Sequence, residues 1–472
     1  MSSLDYKLEN GVLKAHINSD NIIDDIEEIT SILNEQKDLK TIGVDLYKCS
    51  YIQSKPLAHL ISLKKAAMAR GITVELLNVN ENIIQVLQLV NLQKLFVIRD
   101  DYSSFSVSDL CEKFLDIEKA ANISDYLAAN YDKHVQDKLM EVIKSGDPVL
   151  VEYAILTMGR AQDHANIEIY RKALNADEAS VKAAAILVLG WIGDMESKET
   201  LYSLLTSKEI NVPEAAAASI ALLSDSSDSE KMAKYLKDSD PRVRIIAIYA
   251  LSLINDDKAY ECLVDLLKTE KDESVRLALV KKLSSFNNPH VSEILLGILD
   301  DSSIAIKEAA ASGISKRGSG EFAGKLLEKV QDADNWVAFF AAKSLAGVSD
   351  KAIISKLEEN YSKVEQNVKL AIIEVLSKCK DVSSEFFESK LTDSNEDIRK
   401  EALTALYNLY ANEALKAAEK LYNTDSSWLV RYKAVDIILS QKPKGYEDML
   451  RNRLENEDNK YILEHIIGNI GE

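Results

Sequence analysis

Ten side chains in this chain could serve as soft metal ligands or strong nucleophiles: His16, His59, His134, His164, His290 and His465, with Cys49, Cys111, Cys262 and Cys379. A zinc site or a Cys–His pair announces itself by ligands a few residues apart, close enough to share a turn or a helix face. These ten share no such spacing, which predicts no metal centre. Each cysteine instead stands near an apolar position, as a buried thiol would in a reducing cytoplasm. The one glycine-rich step, Gly318-Ser319-Gly320, follows a helical stretch rather than a strand and lacks a phosphate-holding lysine. It is expected to be an inter-repeat turn. Carboxylates are plentiful, but in so acidic a chain a given pair is a solvated face. Trp191, Trp336 and Trp428 are expected in the core, the alternative being exposed anchors for a peptide. The residues therefore predict no catalytic group, no cofactor and no enzyme.

What does recur is a cation. Lys182, Arg244, Arg276, Lys307, Lys369, Arg399 and Arg431 each follow an aliphatic anchor, and the anchors return every 30 to 32 residues. They are Leu150, Val181, Val212, Val243, Val275, Ile306, Val337, Val368, Ile398, Val430 and Tyr461. Eleven units of this size cannot each bury an apolar face alone and must stack on one another. The cations would then form a stripe along the array. A cation near a helix N-terminus opposes the helix dipole by roughly 0.3–1 kcal/mol, so something must offset it. We expect a ladder in which each meets an aspartate between helices (Asp177, Asp240, Asp272, Asp334 or Asp397). The competing use is a track for phosphates or an acidic peptide.

Within a unit the period is helical. Met232, Ala233, Tyr235 and Leu236 mark a short first helix, broken at Ser239-Asp240-Pro241. Val243, Ile246, Ala247, Ala250, Leu251 and Ile254 then lie on one face of a second. Asp240 can cap that helix and Pro241 suits its first turn. Asp147-Pro148, Asp272-Glu273-Ser274 and Asp393-Ser394-Asn395 repeat the signal. Alanine stands four places after most anchors (Ala154, Ala185, Ala216, Ala247, Ala310, Ala341, Ala402, Ala434), where neighbouring helices must approach closely. Asp240-Pro241-Arg242-Val243-Arg244, with Ala247 and Ala250-Leu251 behind it, resembles the HEAT repeat, above all its short bacterial form. The resemblance spans about Val135 to Glu472.

The first hundred residues follow another rule. Short β-leaning runs (Tyr6–Leu8, Val12–Ile17, Ile42–Leu46, Val74–Leu77) alternate with helical stretches near 22–34, 57–70 and 81–89. Gly71 sits where a helix end wants a positive φ. That alternation predicts helices layered on a small sheet. Gly43-Val44-Asp45-Leu46, Cys49-Ser50-Tyr51-Ile52, Leu57-Ala58, Val74-Glu75-Leu76-Leu77-Asn78 and Lys94-Leu95-Phe96 resemble the STAS domain of anti-sigma-factor antagonists. The resemblance implies a loop in which a partner kinase phosphorylates the second hydroxyl of an Asp-Ser-Ser/Thr-Gly motif. Here the loop reads Gln53-Ser54-Lys55-Pro56, so Lys55 replaces the acceptor. Lysine cannot take phosphate by that chemistry and places a positive charge where the switch would create a negative one. Ser54 is expected to cap the helix starting near Pro56. The reading is a binding loop whose switch has been lost.

The expected architecture is a STAS-like α/β domain over 1–100, a serine-rich linker and capping helix over 101–134, and an α–α superhelical HEAT-like array of about eleven repeats over 135–472. The net charge of −19, with −16 on residues 105–472, is a poor footprint for nucleic acid. No apolar run reaches the ~18–20 residues of a bilayer span, and the N-terminus lacks a signal pattern, so a cytoplasmic protein is expected. Two function classes follow. One is a non-enzymatic scaffold or signalling adaptor with one protein partner per domain, either constitutive or as a phospho-regulated anti-sigma-factor antagonist. The other rests on the HEAT-like repeats of bilin lyases and would make the chain a chromophore enzyme. The partner's identity and the oligomeric state are not written in the residues.

Overall fold

The computed structural model describes residues 4–18, 21–90, 92–225, 227–318 and 320–470. They form two compact units, Met1–Ala161 and Gln162–Glu472. The first opens with a hairpin of β1 (Asp5–Glu9) and β2 (Val12–His16). Its two-residue turn is Asn10-Gly11, with φ of 51° and 82°, the backbone that a tight hairpin needs and that this pair supplies. The chain continues as α1 (Ile22–Glu35), β3 (Thr41–Asp45), α2 (Ser54–Met68), β4 (Thr73–Leu77), α3 (Glu81–Leu89) and β5 (Val97–Arg99). The strands lie in the order β1-β2-β3-β4-β5, with β1 antiparallel and the rest parallel.

Alternation along the strands divides the sheet into two faces. Leu13, Ala15, Ile42, Val44, Val74 and Leu76 are fully buried and share one core with Ile26, Ile29 and Leu33 of α1, Leu60 of α2 and Leu87 of α3. The opposite face is polar: Lys14, His16, Asp45 and Glu75. β5 was not expected. It is only three residues long and pairs with β4 from Glu75↔Val97 to Leu77↔Arg99.

The serine-rich stretch after it is an ordered segment, not a free linker. The Asp101 amide donates to Asn78 Oδ1, and the Asp101 carboxylate pairs with Lys14 at 2.7 Å. Ser106 and Asp109 then form a reciprocal capping box for α4 (Val107–Glu112). The capping helix expected within 101–134 is interrupted at 113–116, and α5 runs Ile117–Ala129. Two further helices complete the unit, α6 (Lys133–Ser145) and α7 (Pro148–Arg160). Phe114 is buried and stacks on Tyr153 of α7 with ring centroids 5.5 Å apart.

The second unit is a succession of helix pairs. The second helix of each pair runs 10 to 14 residues. In most of them the residue before the helix accepts backbone N–H groups of its first turn: Asp240 from Arg242, Asp272 from Val275, Asp334 from Trp336 and Val337, Asn395 from Asp397 and Ile398. The anchor falls three residues after that cap and is buried. The same register corrects the last unit. Asn459 accepts from Ile462, which is fully buried, whereas Tyr461 is 54% exposed. Ile462 is the anchor.

Trp336 and Trp428, expected in the core, are 43% and 40% exposed on first turns of their helices. Trp191 is half-buried. Gly318 and Gly320 take positive φ after the helix Ile304–Arg317, while Ser319 lies outside the described residues. Cys49, Cys111 and Cys379 are buried free thiols and Cys262 is half-buried. Among the described residues no helix is long and apolar enough to cross a membrane, and no three His, Cys, Asp or Glu groups are placed to hold a metal ion.

The alanines four places after the anchors are buried to the last few per cent, and within the second unit the helices they sit on pack against one another. Gly190 of the helix Ala179–Trp191 marks the tightest approach. A Cβ there would stand 2.7 Å from Ser219 Cβ and 2.9 Å from Ser219 Cα on the next long helix. In a free helix Gly190→Ala would stabilise by roughly 1 kcal/mol. Here overpacking against backbone should cost ~1–3 kcal/mol and win. A thermal melt should show Gly190→Ala unfolding several degrees lower; a higher melting point would refute the close approach.

Candidate interaction sites

The first candidate site is the loop between β3 and α2. Asp45 ends β3 with its side chain buried. It meets His16 Nδ1 at 2.9 Å and accepts from the Tyr47 amide and Asn78 Nδ2. Asn80 Nδ2 donates to the Cys49 carbonyl at 2.6 Å, so the loop is tied at its start to the strand ends. The Cys49 thiol donates weakly to the Ile17 carbonyl, and burial, aided by Asp25 and Asp45, pushes it up to about 11. It is a packing group rather than a nucleophile.

The helix begins earlier than expected. Ser54 is its first residue, Gln53 holds the cap position, and no side chain caps it. Ser54 is thus not the cap. Glutamine's longer side chain does not fold back on the helix N–H groups as serine or aspartate does. Pro56 is buried in the first turn, where its missing N–H costs nothing. Gln53, Ser54 and Lys55 are exposed. A cleft of about 520 Å³ opens beside them, bordered by Asn21 and Asp24 at the start of α1 and by Tyr51, Gln53 and Lys55. The first turn of α2 carries no acid, so Lys55 stands against the dipole of its own helix, with Asp24 of α1 bordering the same cleft.

The second candidate site is the stripe of cations, and its geometry obeys a rule. Each arginine reaches the acid five residues before the next anchor: Arg244 to Glu270, Arg276 to Asp301, Arg399 to Asp425 and Arg431 to Glu457. Three of these are two-pronged, with both Nε and Nη2 on the carboxylate. The third nitrogen turns back to carbonyls of the arginine's own inter-helix turn, as Arg244 Nη1 does to Asp238 at 2.8 Å. That fork is what offsets the helix dipole. Each lysine instead reaches the residue three before the next anchor: Lys182 to Glu209 and Lys307 to Asp334, both at 2.6 Å.

Among the aspartates expected here only Asp334 is a rung. Lys182 passes over Asp177 for Glu209. Asp240 and Asp272 are occupied by amides of their own helices, and Asp397 pairs with Lys400. The acids that matter, Glu209, Glu270, Asp301, Asp425 and Glu457, carry a sequence signal in their fixed offset from the following anchor. Lys369 breaks the pattern. The residue three before its next anchor is Asn395, whose Oδ1 already accepts two amides, and Lys369 lies over the Tyr361 ring at 5.7 Å.

Burial raises the carboxyls of Glu270, Asp425 and Glu457, but hydrogen bonds from Arg244, Arg399 and Arg431 outweigh it and hold all three below the ordinary range.

With this geometry described, the chain can be compared with known proteins. Residues 14–104 match the family model of the STAS domain, and residues 136–221, 198–284 and 362–438 match HEAT repeats. The sheet domain is a STAS domain and the helix pairs are HEAT repeats. No curated protein matches the chain. Among solved structures, Kap121p aligns with 94% of this chain and 53% of its own, at 14% identity and a TM-score of 0.43. A chain of the Kap95p–RanGDP structure aligns over 94% and 67%, at 13% identity and a TM-score of 0.49. An engineered protein aligns over 71% and 99%, at 21% identity and 0.28. The chain thus spans about half the length of Kap121p.

A broken rung should be costly and its cost should depend on pH. Arg244→Met leaves the nearly buried Glu270 carboxylate without its guanidinium, at ~2–3 kcal/mol near neutrality. Arg244→Met with Glu270→Leu should recover most of that. Because Glu270 is held low, its pairing contributes stability above the unfolded value of about 4.3 and loses it as pH falls through the folded value. Urea unfolding should therefore show the gap between parent and Arg244→Met closing at acid pH. A gap independent of pH would mean the pair is solvent-screened.

Proposed function

We propose that this protein is a non-enzymatic interaction scaffold or signalling adaptor, in which the STAS domain binds one protein and the HEAT array another. One observation carries the reading. Lys55 is exposed at an uncapped helix start beside a cleft, at the place where the STAS family carries its phosphorylated hydroxyl. A cation kept there against the local dipole is favourable only when an acidic surface meets it. Binding through this loop is therefore constitutive, since the charge needs no kinase. The array supports the same class of function: most of its apolar side chains and most of its recurring cations are engaged within the array, which leaves the exposed faces for contact. The reduced thiols fit a cytoplasmic setting.

A second reading is favoured by Ser54. Its hydroxyl is exposed and caps nothing, so it is open to a kinase as a hydroxyl moved one residue along, and the domain would then be a phospho-regulated antagonist.

Capture of partners from the native cell with full-length protein separates the two readings. Lys55→Glu should abolish capture by the STAS domain, and added salt should weaken it in the parent. Ser54→Ala should leave both capture and stability unchanged, because no cap is lost. Phosphate on Ser54 in cell-derived protein, with Ser54→Asp altering capture more than Lys55→Glu, would overturn constitutive binding.

A further inference from the structure

The geometry points to a carboxylate-binding site for an acidic peptide at the open rung of the array, built on Lys369 and Lys390. This deepens the scaffold reading by naming the chemistry of a partner for the array, and rests on that reading for the existence of such a partner.

The two other lysine rungs show what Lys369 lacks. Lys182 and Lys307 each hold a carboxylate at 2.6 Å, supplied three residues before the next anchor. At the same offset Lys369 finds the neutral Asn395, with its acceptor oxygen already in use. A second ammonium converges on the same ring. Lys390 Nζ lies 4.5 Å from the Tyr361 centroid and 4.8 Å from that of Phe386, and the two rings meet edge to face. Neither lysine has a carboxylate within ion-pair distance among the described residues, and both are half-buried.

The acids facing Lys390 are Asp393 and Glu358. Neither makes an ion pair with Lys390: Asp393 accepts the Asn395 amide, and Glu358 is pushed up by burial, with Lys390 opposing the shift. Burial, together with repulsion from Lys369, draws Lys390 below its ordinary value. Two half-buried cations that repel one another and have no carboxylate in direct contact are unfavourable, and an incoming anion relieves both at once. The ligand class follows from the neighbouring rungs, all of which bind carboxylates. Thr392 and Asp393, two and three residues beyond Lys390, border a cleft of about 690 Å³ whose charged lining mixes Lys416 and Lys420 with Glu388 and Glu413.

The test uses full-length protein and a fluorescent N-acetylated hexaglutamate peptide, followed by anisotropy at low ionic strength. Lys369→Gln and Lys390→Gln should each weaken binding about fivefold, a lost charge pair of ordinary strength. Lys369→Arg is the sharper variant. It keeps the charge but provides the fork that reaches Asp393, five residues before the next anchor, so it should weaken the peptide as much as Lys369→Gln without lowering the melting temperature. Lys268→Gln, in another unit and paired with Asp265, should change nothing. The proposal is overturned if the peptide fails to bind, if Lys369→Arg binds as well as the parent, or if all variants bind alike. Tighter binding of an oligothymidine through the same two lysines would overturn the carboxylate class. Failure here leaves native capture by the full chain untouched, so the scaffold reading stands or falls separately.

Discussion

A helix of ten to fourteen residues has no interior. The array exists because each long helix lies close enough to the next for both to leave water together, and that closeness is set by small side chains. Where Gly190 faces Ser219, or where Ala216 and Ala247 face their neighbours, the surfaces meet with almost no exposed area. Every other feature adjusts to that approach. The caps fix where each helix begins, the anchor three residues later falls into the seam, and the cation after it emerges at the edge of the seam. Stability is then a sum over interfaces between neighbours rather than the property of one core.

The electrostatics are secondary in energy but set the register. With 76 acids against 57 bases the chain repels itself, and an array could slide or splay under that load. Arginines that clasp a carboxylate of the next unit while hydrogen-bonding their own turn resist both motions. Partial burial makes those pairs worth more than surface ion pairs, and makes a lone survivor expensive. On the STAS domain the logic is reversed. On the polar face of the sheet Asp45 is hydrogen-bonded to His16, and Lys14 with Asp101 and Arg99 with Glu75 form ion pairs, whereas Lys55 makes no such pair among the described residues.

Much of this was legible in the residues, for physical reasons that can be stated. Period, anchors and alanines follow from burial, which a sequence records directly as residue type. The acids of the ladder were misassigned because the helix-capping aspartates look equally available until their oxygens are seen to be taken by amides. Tyr461 passed for an anchor because an aromatic satisfies an apolar pattern; only the Asn459 cap shows that Ile462 points inward. Ser54 looked like a cap for a helix starting near Pro56, and the helix begins two residues sooner. β5 is too short to show a period, and the segment after it reads as a linker because its order comes from Asn78 and Lys14, far away in sequence. The segment Gln53–Pro56 reads as a loop, but that Ser54, Lys55 and Pro56 form the first turn of α2, and that their cleft borders the start of α1, required the fold.

The offsets of the ladder have a consequence for how such arrays change. Arginine and lysine are ordinarily treated as near synonyms. Here the forked side chain addresses one position of the following turn and the straight one addresses another, two residues away. An exchange of one for the other is thus a change of address, and it is silent only when an acid moves in the neighbouring unit too. The natural module of inheritance is therefore not the helix pair drawn by eye. It runs from one turn acid to the cation of the same unit, and two modules can be spliced only when the outgoing reach matches the incoming address. Duplication of a whole module preserves that match, whereas drift within a single one erodes it, as the mismatch between Lys369 and Asn395 illustrates.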